Sequence, residues 1–232
     1  MTNEIYDLCI IGAGINGAGI ARDAAGRGLN VLICDKGDVG GATSAASSKL
    51  AHGGIRYLEQ LDFKMVKKSL HERNRLFKIA PHICWPIPFI LPHKKGLRTF
   101  WLLRIGLWLY NQLSPKDNAV PKAKSIIMKD CTLKSGLAQA LYYYDGWVQD
   151  HRLVIFNLID AAKHGATILP HTAYHSAEVK DGIWHITLSD RTIQAKTLVN
   201  ASGPWLNETD KESNPLRLVK GSHIVLKKWF DH

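Results

Sequence analysis

The chain has 232 residues, 46% of them hydrophobic and 22% charged. That is enough apolar side chain for a sizeable core, as one large domain or two small ones, and it excludes a disordered chain. The formal net charge of +10 comes from 30 Lys+Arg against 20 Asp+Glu. Such a field attracts anions: nucleic acid, acidic lipid or a phosphorylated metabolite. No short Lys/Arg block reads as a nucleic-acid tail, so no nucleic-acid partner is expected. Cys9, Cys34, Cys84 and Cys131 show no C-x-x-C spacing, which argues against a disulfide framework or a zinc site. Cys9 and Cys34 sit in apolar runs and read as buried thiols. The N-terminus carries Glu4 and Asp7 and lacks the basic, then apolar, order of a signal peptide, and a cytoplasmic setting is expected.

The best-organised stretch is YDLCIIGAGINGAGIARDAAGRGLNVLICDKGD. Residues 6–11 are an apolar run that reads as a buried parallel strand. Gly12, Gly14 and Gly17 spell GxGxxG, and a helix follows with Ala18, Ala21 and Ala25 on nearby faces. Gly26 and Gly28 end it, and LNVLICD is a second strand closing on Asp35. Gly12 permits a tight turn, Gly14 lets backbone approach a pyrophosphate, and Gly17 lets helix pack near strand. The free N–H groups at the helix start face the phosphates. Asp35 falls where a carboxylate accepts from a ribose hydroxyl. Strand, glycines, helix, strand and acid in that order favour dinucleotide binding over a chance Gly-rich turn. They do not separate NAD from FAD.

KGDVGGATSAASSKLAHGG comes next, mostly small and polar. An NAD-binding unit normally proceeds to another helix–strand pair. This loop instead offers the hydroxyls of Thr43, Ser44, Ser47 and Ser48 to phosphate and ribityl oxygens, which suits a cofactor bound in extended form, as FAD is. The alternative is a flexible Ser/Gly linker.

Residues 62–79 read as a helix, capped by Asp62 and stopped before Pro81. Phe63, Val66, Leu70 and Phe77 form its apolar stripe, and Lys64, Lys67, Lys68, Arg73, Arg75 and Lys78 its solvated face. Residues 81–113 mix Pro turns, aromatics and cations. Residues 97–113 are helical, with Trp101, Ile105 and Trp108 along one side and Arg98 and Arg104 elsewhere. The helix is too short and charged for a membrane span, and reads as a buried helix or as one lying in a membrane interface. Asp150 caps a helix over 151–164 that stops at Gly165. Strands follow at 173–180 and 183–189, joined by Asp181-Gly182, a strong hairpin signal. His171 and His175 sit on a strand-like run, where they do not converge, so no metal is expected. A further strand ends at VNASGPW, and RLVKGSHIVL (217–226) reads as strand, Gly turn, strand, with Lys220 and His223 near a ligand or purely structural.

GAGINGAGIARDAAGRG, ATSAASSKLAHGGIRYLE, YYDGWVQDHRLV, VNASGPW and RLVKGSHIVL together closely resemble the FAD-dependent, quinone-linked aerobic glycerol-3-phosphate dehydrogenases. The matches run from residue 7 to residue 226, and SSKLAHGGIRYLE and KGSHIV are far more specific than GxGxxG. The resemblance implies oxidation of sn-glycerol 3-phosphate to dihydroxyacetone phosphate at FAD, with quinone as electron acceptor. It implies a peripheral association with the anionic inner face of the cell membrane, and it leaves a homodimer open. The implied fold is α/β: a Rossmann-like FAD-binding domain of the glutathione-reductase/D-amino-acid-oxidase type, with an interleaved antiparallel α+β substrate domain. Residues 1–80 and 150–210 would form the first, and 81–149 with 211–232 part of the second.

The implied cofactor contacts are Gly12, Gly14, Asn16, Gly17, Asp35, Thr43, Ser44, Ser48, Lys49, Leu50 and Gly203. Gly53 and Gly54 would let backbone lie under the flavin ring. Arg56 offers a planar fork suited to phosphate. His52 is the candidate general base, since an imidazole titrates near working pH, or else only hydrogen-bonds flavin or backbone. Lys49 balances reduced flavin or is a surface lysine, and Tyr57 donates to substrate or packs. Asp35 stands where the family often has Glu. YYDGWVQDHRLV lacks a Cys and an acid of the family's version and carries His151 where a small residue is common. The chain stops just past KGSHIVL, so an amino-terminal part of a larger protein is expected. Alternatives are an oxidase that uses oxygen, a non-catalytic FAD-binding fragment, and an NAD enzyme.

Overall fold

The computed structural model describes residues 4–94, 99–117, 119–127, 139–209, 216–219, 221–224, 226 and 227, with Arg56 and Glu59 by backbone alone. Cys131, Lys220, Arg98 and the Arg56 side chain therefore lie outside the described residues. In chain order the elements are β1 (Ile5–Ile11), α1 (Ile15–Gly26), β2 (Val31–Cys34), β3 (Leu50–Ala51), α2 (Phe63–Ile79), β4 (Cys84–His93), α3 (Phe100–Leu113) and β5 (Lys124–Ile127). They continue with β6 (Gln139–Val148), α4 (Asp150–Lys163), β7 (Thr167–Leu169), β8 (Tyr174–Lys180), β9 (Ile183–Leu188), β10 (Thr192–Asn200) and α5 (Leu206–Thr209). Three short 3-10 turns lie at Thr43–Ala45, Ile55–Gln60 and Gly203–Trp205. The chain forms two compact units: Met1–Ser48 with Asp150–His232, and Lys49–Gln149.

The first unit holds a six-stranded sheet in the order β7-β2-β1-β10-β9-β8. β7, β2, β1 and β10 run parallel, and β9 and β8 add as antiparallel strands. β2 and the Leu8–Ile11 half of β1 are apolar without interruption, because both faces of the sheet are covered there. Side chains alternate between the two faces: Leu8, Ile10, Val31 and Ile33 pack under the helices, while Cys9, Leu32 and Cys34 meet Ile186, Leu188 and Ala195. Ala18, Ala21 and Ala25 of α1 pack with Val154, Leu158 and Ala161 of α4, and small side chains let the helices approach closely. An exposed ion pair, Arg22 Nε to Asp160 Oδ2 at 2.6 Å, joins the same helices. The β8–β9 turn is the expected one, with Asp181 and Gly182 at φ +51° and +78°.

In the second unit β6 is the spine. β4 pairs with it along its full length on one side, and β3 and β5 pair on the other. The expected Pro turns of 84–93 are instead this strand. Pro86, Pro88 and Pro92 share one parity, so the odd-numbered amides are left to carry the ladder. α2 is capped as expected, Asp62 Oδ1 accepting from Met65 N at 3.0 Å. Its buried stripe is Val66, Leu70, Arg73 and Phe77, so Arg73 is not on the solvated face, and Phe63 is exposed. α3 buries Leu107 and Tyr110, and Trp101, Ile105 and Trp108 form its outward side, 61%, 48% and 59% exposed.

The first unit ends at Ser48, ahead of the expected limit near 80, because β3 pairs with β6 and α2 contributes to the same cluster as Leu141. The strands expected over 217–226 do not form among the described residues there, and no ladder partner pairs with them. No helix among the described residues is long and apolar enough to cross a membrane.

Candidate functional site

The C-terminal ends of β1, β2 and β10 open onto a cavity of about 580 Å³, lined wholly by the first unit. Of the expected cofactor residues, Gly12, Gly14, Asn16, Asp35, Thr43, Ser44 and Gly203 line it. Gly17 lies behind it. A Cβ there would sit 1.9 Å from the Gly12 carbonyl oxygen, so only glycine lets α1 seat on the turn. Gly12 itself has φ +99°, and its Cβ would fall 2.6 Å from the Ala201 oxygen. Ser48 belongs to this unit but is not among the lining residues.

α1 starts at the cavity with no acidic residue in its first turn, and Gly14 offers no side-chain cap. The first-turn amides of a helix have no intrahelical acceptor and carry the positive end of its dipole. One of them, Ile15 N, donates to Ser44 Oγ at 2.9 Å. The Ser44 loop is itself tied to α4: Asp150 Oδ2 accepts from Ser47 Oγ at 2.7 Å and from Ser47 N at 3.3 Å. The Asp35 carboxylate accepts from Ala13 N at 2.8 Å and Gly37 N at 2.9 Å, one bond on each oxygen. Each oxygen keeps further acceptor capacity for a hydroxyl.

Sequence reasoning missed Lys36, Trp205 and Glu208, which also line the cavity. Lys36 Nζ lies 4.5 Å from the Trp205 ring centre and 3.6 Å from Glu208 Oε2. Lys36 directly follows Asp35 and Trp205 stands in VNASGPW, so position alone marked both.

Lys49, Leu50, His52, Arg56 and Tyr57 belong to the second unit. Lys49 has φ +56°, and its carbonyl accepts from Val148 N. Leu50 and Ala51 pair with Trp147 and Gly146. His52 follows, exposed. Gly53 N donates to Asp145 Oδ1 at 2.8 Å. The glycine pair is explained by packing inside this unit. A Cβ at Gly53 would lie 2.2 Å from the Tyr110 hydroxyl, and one at Gly54, at φ +68°, would lie 2.7 Å from the Tyr57 ring. Tyr57 is half-buried against the cluster of Val66, Leu70 and Tyr110. Arg73 Nη1 bonds Asp145 Oδ1 at 2.8 Å, the Tyr144 carbonyl at 2.8 Å and the Tyr110 hydroxyl at 3.1 Å. Burial, reinforced by the Asp145 charge, pushes the Tyr110 hydroxyl pKa well above its ordinary value.

The model of the FAD dependent oxidoreductase (DAO) family matches residues 7–232. The chain belongs to that family. Curated relatives of the chain include the glycerol-3-phosphate dehydrogenase of Pseudomonas aeruginosa, 42% identical over 98% of this chain and 47% of that protein. The D-erythritol 1-phosphate dehydrogenase of Brucella abortus is also 42% identical, over 98% of this chain and 48% of its own length. The chain thus spans about half the length of the curated relatives it matches. Among solved structures, the glycerol-3-phosphate dehydrogenase from Bacillus halodurans complexed with FAD aligns with a TM-score of 0.62. It is 27% identical, over 90% of this chain and 36% of that one. FAD is the family's cofactor, and the cavity residues fit its nucleotide half. They offer a helix N-terminus, hydroxyls at Thr43 and Ser44 and a carboxylate at Asp35, the kinds of group that a pyrophosphate and a ribose would need.

Proposed function

We propose that the chain serves flavin-dependent oxidation of sn-glycerol 3-phosphate to dihydroxyacetone phosphate, with electrons passed on to quinone. The observation that carries this reading is the GxGxxG cavity with Asp35 and Ser44 in its lining, in a chain 42% identical to a glycerol-3-phosphate dehydrogenase. Bound FAD supplies the hydride acceptor. Gly12, Gly14, Asn16, Thr43, Ser44 and Gly203 hold its nucleotide half, Gly17 seats α1 behind them, and Ser48, Lys49 and Leu50 complete the cofactor contacts. His52 takes the hydroxyl proton on a ring nitrogen. Arg56 pairs with the substrate phosphate through its planar fork, and Tyr57 supports that turn. The exposed Trp101, Ile105 and Trp108 of α3 rest at an anionic membrane surface, which the net charge of +10 favours.

A four-carbon polyol phosphate is the second reading, since the Brucella abortus relative is named for one and matches equally well. The test is the visible spectrum of the FAD-loaded protein without oxygen. sn-Glycerol 3-phosphate is expected to bleach the flavin, and a short-chain quinone to restore its colour. Bleaching only by D-erythritol 1-phosphate selects the second substrate. Peroxide formation in air without quinone selects oxygen as acceptor. A flavin bleached by dithionite but by neither phosphate ends the proposal.

A further inference from the structure

Resting on the reading of His52 as proton acceptor, we propose that Asp145, with Arg73 as its counter-ion, is the positioning residue that holds the His52 turn in register. His52 is exposed, but the backbone on each side of it is fixed to the same strand. Before it, Ala51 pairs with Gly146 of β6. After it, Gly53 N donates to Asp145 Oδ1 at 2.8 Å. β3 ends at Ala51, so no strand carbonyl takes the Gly53 amide. The carboxylate does this instead, one residue beyond the last ladder pair.

The anchor is tight. A Cβ on Gly53 would also lie 2.5 Å from Leu70, and one on Gly146 would lie 2.8 Å from the Ala51 oxygen. The backbone therefore has no room to slide. Asp145 is 4% exposed and Arg73 2% exposed. A buried ion pair of this kind is weak evidence for stability, because desolvation offsets its attraction. What it does provide is location. Through Nη1, Arg73 of α2 ties the carboxylate to the Tyr144 carbonyl and to Tyr110 of α3, so the acceptor of the Gly53 amide cannot swing. A proton acceptor on a backbone held at both sides needs little reorganisation when the hydroxyl arrives.

The test compares two charge-free double variants of the FAD-loaded protein. Arg73→Leu with Asp145→Asn keeps a side-chain oxygen for Gly53, and the Tyr144 carbonyl released by Arg73 is free to accept from the new amide. Arg73→Leu with Asp145→Leu removes the acceptor. Neither leaves a buried unpaired charge. The limiting rate of flavin bleaching by sn-glycerol 3-phosphate should stay within about threefold in the first and fall on the order of a hundredfold in the second. The half-saturating substrate concentration and the dithionite bleaching rate should hold in both. Equal rates in the two variants overturn the assignment. Should the leucine variant not fold, Asp145→Glu keeps the charge pair and displaces the oxygen, and a rate equal to the parent's overturns it. A parent that the substrate does not bleach overturns this assignment and the proposed function together. A bleached parent with indistinguishable variants overturns this assignment alone.

Discussion

Two glycines of α1 stand two residues apart and should respond to alanine in opposite directions. A Cβ at Gly17 would lie 1.9 Å from the Gly12 carbonyl oxygen, and one at Gly19 would meet nothing within 4 Å. Ordinary heavy-atom contact is about 3.5 Å, so Gly17→Ala must move α1 off the turn by about 1.5 Å. The opposing atom is backbone and cannot rotate away, which puts the overpacking penalty at the upper end of its range of about 1–3 kcal/mol. Alanine returns about 0.5–1 kcal/mol in a helix interior, leaving a net loss of about 2 kcal/mol. Gly19→Ala keeps only the gain. The two variants should differ by about 3 kcal/mol, or about 6–12 °C in melting temperature for a chain of this size. Circular dichroism on the cofactor-free protein measures the difference. FAD titration should show weaker binding for Gly17→Ala alone, since that change moves the Gly12 turn. A Gly17→Ala protein that melts as high as Gly19→Ala would refute the packing argument.

Arg73→Leu alone leaves Asp145 buried without its partner and should destabilise the second unit by about 3–5 kcal/mol in urea unfolding. Adding Asp145→Asn should recover most of that, and equal losses in single and double variants would count against it. The Arg22 guanidinium beside Asp160 holds that carboxyl below its ordinary 3.8. A lowered folded pKa stabilises above the unfolded value, and the benefit disappears as pH falls through the folded one. Asp160→Asn should therefore melt below the parent near neutral pH, with the gap closing under pH 3.8 and in high salt. Replacing Trp101 and Trp108 together by Ser should abolish cosedimentation with anionic lipid vesicles and leave the melting temperature unchanged. Sedimentation that persists would remove α3 as the membrane contact.

Features governed by neighbours in sequence were legible. The spacing of Gly12 and Gly17 implies a tight turn and a close helix–strand contact, and the distances around them give the steric reason. The Asp62 cap and the Asp181-Gly182 turn are equally local. Arg73 departs from the expected solvated face although its spacing fits the core: it falls three residues after Leu70 and four before Phe77, on the apolar stripe. A charge argues for solvent, and what makes burial tolerable is distant in sequence: the Asp145 carboxylate 72 residues away, with the Tyr144 carbonyl and the Tyr110 hydroxyl beside it. β4 was hidden because Pro86, Pro88 and Pro92 signal turns locally, whereas pairing with β6 on one side alone makes them compatible with a strand.

From the amino acids alone came the strand–turn–helix that receives a nucleotide, the acid at the end of the second strand, and the hydroxyl-rich loop behind it. These follow from backbone geometry within some forty residues, where glycine, alanine and aspartate act through short-range sterics and hydrogen bonds. Three things waited for tertiary structure: the division at Ser48, the outward face of α3, and the anchoring of Gly53 by a carboxylate 92 residues later. Each depends on which distant segment supplies a partner, and a residue's type does not encode the identity of that partner.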